Sequence, residues 1–253
     1  MAQMVTLGKT LDLVEEVFEP VMHLKRVKSL AVAVFGAMFA RRLNISEIGR
    51  AGAEARGMAS KHGIKQVDRL VGNAGLCIDT ILARWVLWII GARGRITVTM
   101  DWTDFDADGH TTLAINLVTR HGRATPLVWR TVEKATLAGN RSDYETELLL
   151  LLEKLIPKGV QVVLLADRGF GDVSLYSLLQ NMSWSYVIRF KGGTWVTTRD
   201  GEARYAKKWL LPKGKPRLLR DVLVTKKHSP VATVVVVKDP KMKDAWYLAS
   251  NLK

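Results

Sequence analysis

A single cysteine, Cys77, in 253 residues leaves no internal disulfide and no cysteine-based zinc site, and it fits a reducing, cytoplasmic compartment. Four of the five histidines, His62, His110, His121 and His228, show no ligand spacing. Long apolar runs are also lacking. Leu30 to Ala40 is bounded by Lys25, Arg26, Lys28 and by Arg41, Arg42, and Trp85 to Gly91 lies between Arg84 and Arg93. Both fall short of the roughly 18 to 20 residues that a spanning helix needs, so they are expected as buried core helices and no membrane is expected as a partner. The amino terminus carries Asp12, Glu15 and Glu16 and has no basic stretch leading into an apolar core, unlike a secretory signal. No internal repeat or low-complexity tract is evident. Acid is scarce beside base: 24 Asp and Glu against 38 Lys and Arg give a net charge of +14, which favours a polyanionic partner without choosing among DNA, RNA and an anionic surface.

With 48% hydrophobic residues the chain has ample material for a packed core. Up to about Arg95 its apolar positions recur at helical intervals, as in Leu11, Val14, Val17, Phe18 and Val21, and a helical domain is expected over 1–95. Ser46 with Glu47 reads as a helix start and Arg56 to Gly63 as a break. Next, Ser60 to Val71 combines a cap, an apolar stripe (Ile64, Val67, Leu70, Val71) and a basic face of Lys61, Lys65 and Arg69. Two readings fit that face: a helix laid on DNA, or an ordinary amphipathic helix with solvated charge.

Beyond Arg95 the period becomes two. Ile96 to Thr103, Leu113 to Val118 and Thr125 to Val132, the last two joined by a turn at His121, Gly122 and Arg123, read as a three-strand meander. A helix follows, with Ser142 or Asp143 as cap and Pro157 and Gly159 as its stop; then strand Val160 to Ala166, helix Val173 to Asn181 capped by Asp172, and strand Tyr186 to Arg189. The order β, β, β, α, β, α, β predicts a mixed α/β sheet over 96–191 with the first strand beside the fourth. Over 192–253 a basic, β-rich segment is expected as an added layer, with strands at Leu218 to Thr225, Val231 to Val237 and Trp246 to Ala249.

Asp101 follows the run Ile96 to Met100, and Asp167 follows Val160 to Ala166. A carboxylate where a buried strand opens to solvent is costly to desolvate unless it is paired, hydrogen-bonded or metal-bound, and two such groups in a basic protein point to a divalent metal acting on phosphate. Asp104, Asp106 and Asp108 imitate a calcium loop but lack its closing glutamate, so a polar turn is expected there. Arg168 either touches phosphate or pairs with a neighbouring carboxylate.

The stretches Val98 to Thr103 around Asp101 and Leu164 to Asp172 around Asp167, together with the tail Trp246 to Leu252, resemble the catalytic core of DDE transposases from bacterial insertion sequences. The likeness is to the subgroup with a β-rich insertion before the catalytic glutamate, and Lys61 to Leu70 is similar to that group's amino-terminal DNA-contacting region. The resemblance implies an RNase H-like fold and a protein that works on bacterial, nucleoid-associated DNA, taking element ends and target as double-stranded partners and acting as a homodimer. Three carboxylates would hold two magnesium ions, with manganese as a substitute; Asp101 would be the shared ligand and Asp167 would complete one position. The group's glutamate lies in a Tyr, Arg, Glu, Lys signature beyond the strand that Tyr247 to Leu252 resembles, and it has no counterpart before Lys253. Glu202, Asp221, Asp239 and Asp244 are expected as surface charges. A truncated or split transposase is therefore expected, with a non-catalytic DNA-binding or inhibitory fragment as the alternative and an unrelated RNase H-like nuclease as a third reading.

Overall fold

The computed structural model describes residues 5–120 and 122–252, and only the backbone of Lys213. His121, placed by the sequence in a turn, lies outside the described residues. The chain divides into two compact units, 1–89 and 90–253.

The first unit is helical: α1 (Leu7–Phe18), α2 (Leu24–Phe39), α3 (Ile45–Glu54), α4 (Ser60–Val71) and most of α5 (Ile78–Ile90). The α1 stripe seen in the sequence is half realised, with Val14 and Val17 buried and Leu11 and Phe18 packing partly buried around a cluster that includes Val27 and Ala31. The apolar run in α2 is buried on one face only: Val27, Ala31, Val32 and Gly36 are covered, whereas Met38 and Phe39 are 52% and 56% exposed. In α5 likewise only Leu82, Val86 and Ile90 are buried, and Trp85 and Trp88 stack at 5.8 Å, partly covered.

Two helix starts differ from expectation here. Asn44, not Ser46, caps α3, because its Oδ1 accepts from the Glu47 amide at 2.8 Å. Ser60 is the first residue of α4 and Ala59 its cap position, without a side-chain bond. Helices α3 and α4 approach through glycine. A Cβ on Gly63 would sit 2.1 Å from the Gly49 carbonyl oxygen, so only hydrogen at that position permits the crossing.

The second unit is one sheet of ten strands: β1 (Arg95–Phe105), β2 (His110–Val118), β3 (Ala124–Glu133), β4 (Gln161–Ala166), β5 (Ser185–Arg189), β6 (Trp195–Thr197), β7 (Ala203–Tyr205), β8 (Arg217–Val224), β9 (Ser229–Val237) and β10 (Trp246–Ser250), in the order β3-β2-β1-β4-β5-β10-β9-β8-β6-β7. Helices α6 (Arg141–Leu155) and α7 (Val173–Asn181) follow β3 and β4. The first half is the RNase H-like arrangement: an antiparallel meander β1 to β3, then β4 parallel to β1 and β5 parallel to β4. Alternation drives it, since Ile96, Val98 and Met100 on β1 and Leu113, Ile115 and Leu117 on β2 are buried while their neighbours are not. Each such side chain removed from water stabilises by about 1.5–3 kcal/mol. Helix α6 starts at Arg141 after Asn140, ahead of the expected Ser142 or Asp143 cap, and Asn140 makes no side-chain cap bond.

The strands after Gly192 do not form a separate layer. β10 pairs antiparallel with β5 and β9 with β10, so the inserted strands continue the same sheet. The join is held by polar groups: Ser250 Oγ donates to the Tyr186 carbonyl at 2.7 Å, and Asn251 accepts from the Tyr186 amide at 2.9 Å and donates to the Trp184 carbonyl at 2.8 Å. An amide side chain that uses both its donor and its acceptor in this way fixes register, because a slip would leave them unpaired.

Candidate catalytic carboxylates and nucleic-acid interfaces

The parallel pairing of β1 with β4 ends at Met100 and Ala166, so Asp101 and Asp167 stand one residue further along neighbouring strands. Strands so paired lie about 4.8 Å apart, and residues at matching positions of parallel strands point to the same side. Both aspartates are exposed. Asp101 is not at a strand end, since it pairs with Ala114 and β1 runs on to Phe105 beside β2; what stops beside it is β4. Its Oδ1 accepts from the Trp102 amide at 2.9 Å. The Asp167 carbonyl accepts from the Phe170 amide at 3.0 Å and closes a single 3-10 turn over Arg168–Phe170. One Asp167 oxygen faces Arg189 Nη1 at 3.3 Å.

Arg189 leads into a basic cavity of about 300 Å³ lined also by Arg168, Lys191, Lys207 and Tyr247, with Asp244 as its one carboxylate. Arg168, singled out in the sequence, therefore belongs to the surroundings of Asp167. Arg189, Lys191 and Lys207 were not: they come from β5 and from segments beyond it, and only the β5–β10 pairing draws those together. Gly192 makes room, because a Cβ there would lie 2.7 Å from the Tyr247 ring. Glu202, Asp221, Asp239 and Asp244 are all exposed, as expected of surface charges, and Asp244 also borders this cavity. Among the described residues no three His, Cys, Asp or Glu side chains are grouped to hold a metal ion. The donor set thus fits a divalent cation on the Asp101–Asp167 pair and stops at two carboxylates.

A second device ties the two aspartate segments together. The Arg141 guanidinium lies over the rings of Trp102, next to Asp101, at 5.4 Å and of Phe170, in the turn after Asp167, at 5.7 Å. Glu145 receives Trp102 Nε1 at 2.8 Å and Arg141 Nε at 3.2 Å. Burial pushes the Glu145 carboxyl above its ordinary value, against the lowering effect of those two bonds. A raised acid pKa means that the folded state prefers the neutral form, so this stabilisation is complete below the unfolded pKa and is lost as pH rises through the folded one. Glu145→Gln keeps the acceptor for Trp102 and removes the titration. Its melting temperature relative to wild type is expected to climb between about pH 4 and about pH 7; a difference that falls over that range would contradict the assignment.

Asp106 and Asp108 form the polar turn expected between β1 and β2, whereas Asp104 is still on β1 opposite Thr111; Lys134 Nζ reaches Asp104 at 3.0 Å and also pairs with Asp106, and its hydrogen bond holds the Asp104 carboxyl below its usual range.

In the helical unit Lys61, Lys65 and Arg69 are all exposed on α4. Lys65 and Arg69 line a cleft of about 320 Å³ together with Lys25, Arg26 and His62, and no carboxylate lines it. Lys61 stands on the same helix outside that lining. Lys25 and Arg26 escaped the sequence reading because they belong to α2, and only the fold sets them across from α4. Arg26 is aimed by its bond to the Gly75 carbonyl at 2.9 Å, and Gln66 braces the cleft by bonding Arg56 at 2.8 Å and Ser29 at 2.9 Å.

The model of the transposase DDE domain family matches residues 92–239, more than half of the chain, and the chain belongs to that family. No curated protein matches. Among solved structures the chain is similar to Marinitoga piezophila Argonaute in complex with 5′ OH guide RNA, at 10% identity and a TM-score of 0.25 over 83% of this chain and 32% of that one. It is also similar to the complex of the same Argonaute with guide RNA and target DNA, at 11% identity and a TM-score of 0.23 over 78% and 28%. The chain spans about a third of the length of these structures. No described helix is long and apolar enough to cross a membrane.

Proposed function

We propose that the chain takes part in metal-dependent phosphoryl transfer at the ends of an insertion sequence, with Asp101 and Asp167 as the metal-holding carboxylates. The observation that carries this reading is the β1–β4 register, which sets the two aspartates side by side within the family's domain. Magnesium suits hard carboxylate oxygens that leave positions open, and manganese replaces it; when bound, it lowers the pKa of a water or 3′-hydroxyl nucleophile and stabilises the leaving oxygen. The chain's own side chains do the rest. Arg168, Arg189, Lys191 and Lys207 neutralise the phosphates flanking the scissile one, and Arg189 holds Asp167 until phosphate or metal competes for it. Assembly as a homodimer on DNA belongs to the same proposal.

Element-end DNA is held by the helical unit. Helices α3 and α4 are joined by the short turn Ala55–Ala59, with Gly57 at φ 62°, as in helix-turn-helix motifs, and α4 presents Lys61, Lys65 and Arg69. Duplex affinity is expected to fall steeply with salt, and the triple variant Lys61→Ala, Lys65→Ala, Arg69→Ala to reduce the slope of log K against log salt by about one unit for each cation that meets a phosphate. Fluorescence anisotropy over a salt series measures this. A folded triple variant with unchanged slope would remove α4 from the interface.

A further inference from the structure

An open cavity of about 630 Å³ lies at the start of β1, lined by Arg93, Arg95 and Arg120 together with Ile96, Thr97 and Leu117. Arg95 and Asp101 are six residues apart on one strand, which places the arginines about 20 Å from the aspartate pair at strand rise. The cavity is thus no part of the reacting end. Ile96 and Leu117 at its base are buried and belong to the sheet core, while Val118 at its edge is exposed. Arg93 is already aimed by its bond to the Ile90 carbonyl at 2.8 Å. Arg95 and Arg120 are exposed, no carboxylate lines the cavity, and neither has an ion-pair partner among the described residues. The Arg95 and Arg120 guanidinium groups, both exposed on a lining without a carboxylate, repel one another, and a polyanion offsets that repulsion. Arginine in place of lysine supplies planar forks that take phosphate oxygens in pairs.

We propose that Arg95 and Arg120, with Arg93 beside them, form a second DNA-phosphate contact that anchors duplex backbone at the end of the sheet remote from Asp101 and Asp167. This rests on the reading above only in taking DNA as the partner. At 3.4 Å per base pair the separation corresponds to roughly six base pairs, so one duplex is long enough to meet both ends of the sheet.

The test uses the full chain and a duplex of about 30 base pairs, with anisotropy read over a salt series. Arg95→Ala/Arg120→Ala is expected to lower the salt slope by about two units, additively with the α4 triple variant, and Arg95→Lys/Arg120→Lys to preserve most of it. An unchanged slope in the double alanine variant, while the α4 variant lowers it, overturns the second contact and leaves the proposed function standing. Failure of the wild-type chain to bind duplex at any salt overturns the proposed function itself. A third outcome also overturns the contact as one for DNA: polyglutamate of matched charge binding wild type better than the double alanine variant while duplex binds both alike, which would make this a site for acidic peptide.

Discussion

Purified and supplied with magnesium or manganese, the 253-residue chain is expected to retain element-end duplex and leave it uncut. The reason lies in ligand number. Asp101 and Asp167 stand side by side, yet no described third carboxylate groups with them, and one of their oxygens faces Arg189 at 3.3 Å. Two-metal chemistry needs both ions held about 3.5–4 Å apart on either side of the phosphate, and two carboxylates alone would fix that arrangement poorly. Misplacement of reacting groups by about 1 Å costs on the order of a hundredfold in rate, and an absent ligand costs more. Binding and cutting are therefore expected to separate when the 253-residue polypeptide is assayed alone. Manganese titration followed by electron paramagnetic resonance should show weak occupancy that vanishes in Asp101→Asn, while duplex affinity in that variant stays equal or rises as a negative charge is removed near phosphate. Adding a carboxylate-bearing helix of the family's Tyr, Arg, Glu, Lys type, fused or in trans, should restore nicking only while both aspartates remain. Metal-dependent nicking by the unaided chain that is abolished by Asp101→Ala would show that some other carboxylate completes the site, and the two-ligand account would be wrong.

What the sequence disclosed and what it hid follow a physical division. Properties written in local order were legible. The alternation of Ile96, Val98 and Met100 marked β1, the run through Leu164 marked β4, and strand order then brought Asp101 beside Asp167. Partnerships between distant segments were not. Nothing in the pattern of Trp246 to Ser250 says that it will pair with β5, and that pairing turns the inserted strands into a continuation of the sheet and brings Lys191, Lys207 and Tyr247 to one cavity with Arg168 and Arg189. Lys25 and Arg26 were hidden in the same way, since a cleft between two helices has no signature in either helix alone. Capping was legible in part: Asp172 caps α7 as expected, its Oδ1 accepting from the Ser174 amide at 3.1 Å, yet Asn44 rather than Ser46 caps α3 through a 2.8 Å bond and α4 begins without a side-chain cap.

Glycine substitutions in the helical unit should rank by geometry rather than by residue type. Replacing a mid-helix glycine by alanine ordinarily stabilises by roughly 0.5–1 kcal/mol, because alanine gives up less backbone freedom on folding. At Gly63 the opposite sign is expected. Its new Cβ would meet the Gly49 carbonyl oxygen at 2.1 Å and the Ala53 Cβ at 2.7 Å, and a backbone oxygen cannot rotate away, so α3 and α4 must part. Overpacking of that kind costs about 1–3 kcal/mol and exceeds the propensity gain, and valine adds to it. Gly57 provides a graded comparison: it has φ 62° and open space around its Cβ direction, so alanine there meets only the left-handed backbone penalty of about 1–2 kcal/mol. Gly94, in the second unit, serves as a control outside the helices: with open space and no positive φ it should tolerate alanine without loss. In a unit of this size each kcal/mol shifts the melting temperature by about 4–8 °C, so Gly63→Val should melt well below Gly57→Ala, and Gly94→Ala should match wild type. Because Gly63 seats the helix that carries Lys61, Lys65 and Arg69, duplex affinity should fall in parallel with helical unfolding, while β-sheet signal from the second unit persists to higher temperature. If Gly63→Ala melts at or above wild type, the close α3–α4 crossing does not exist in solution, and the placement of the basic face on α4 falls with it.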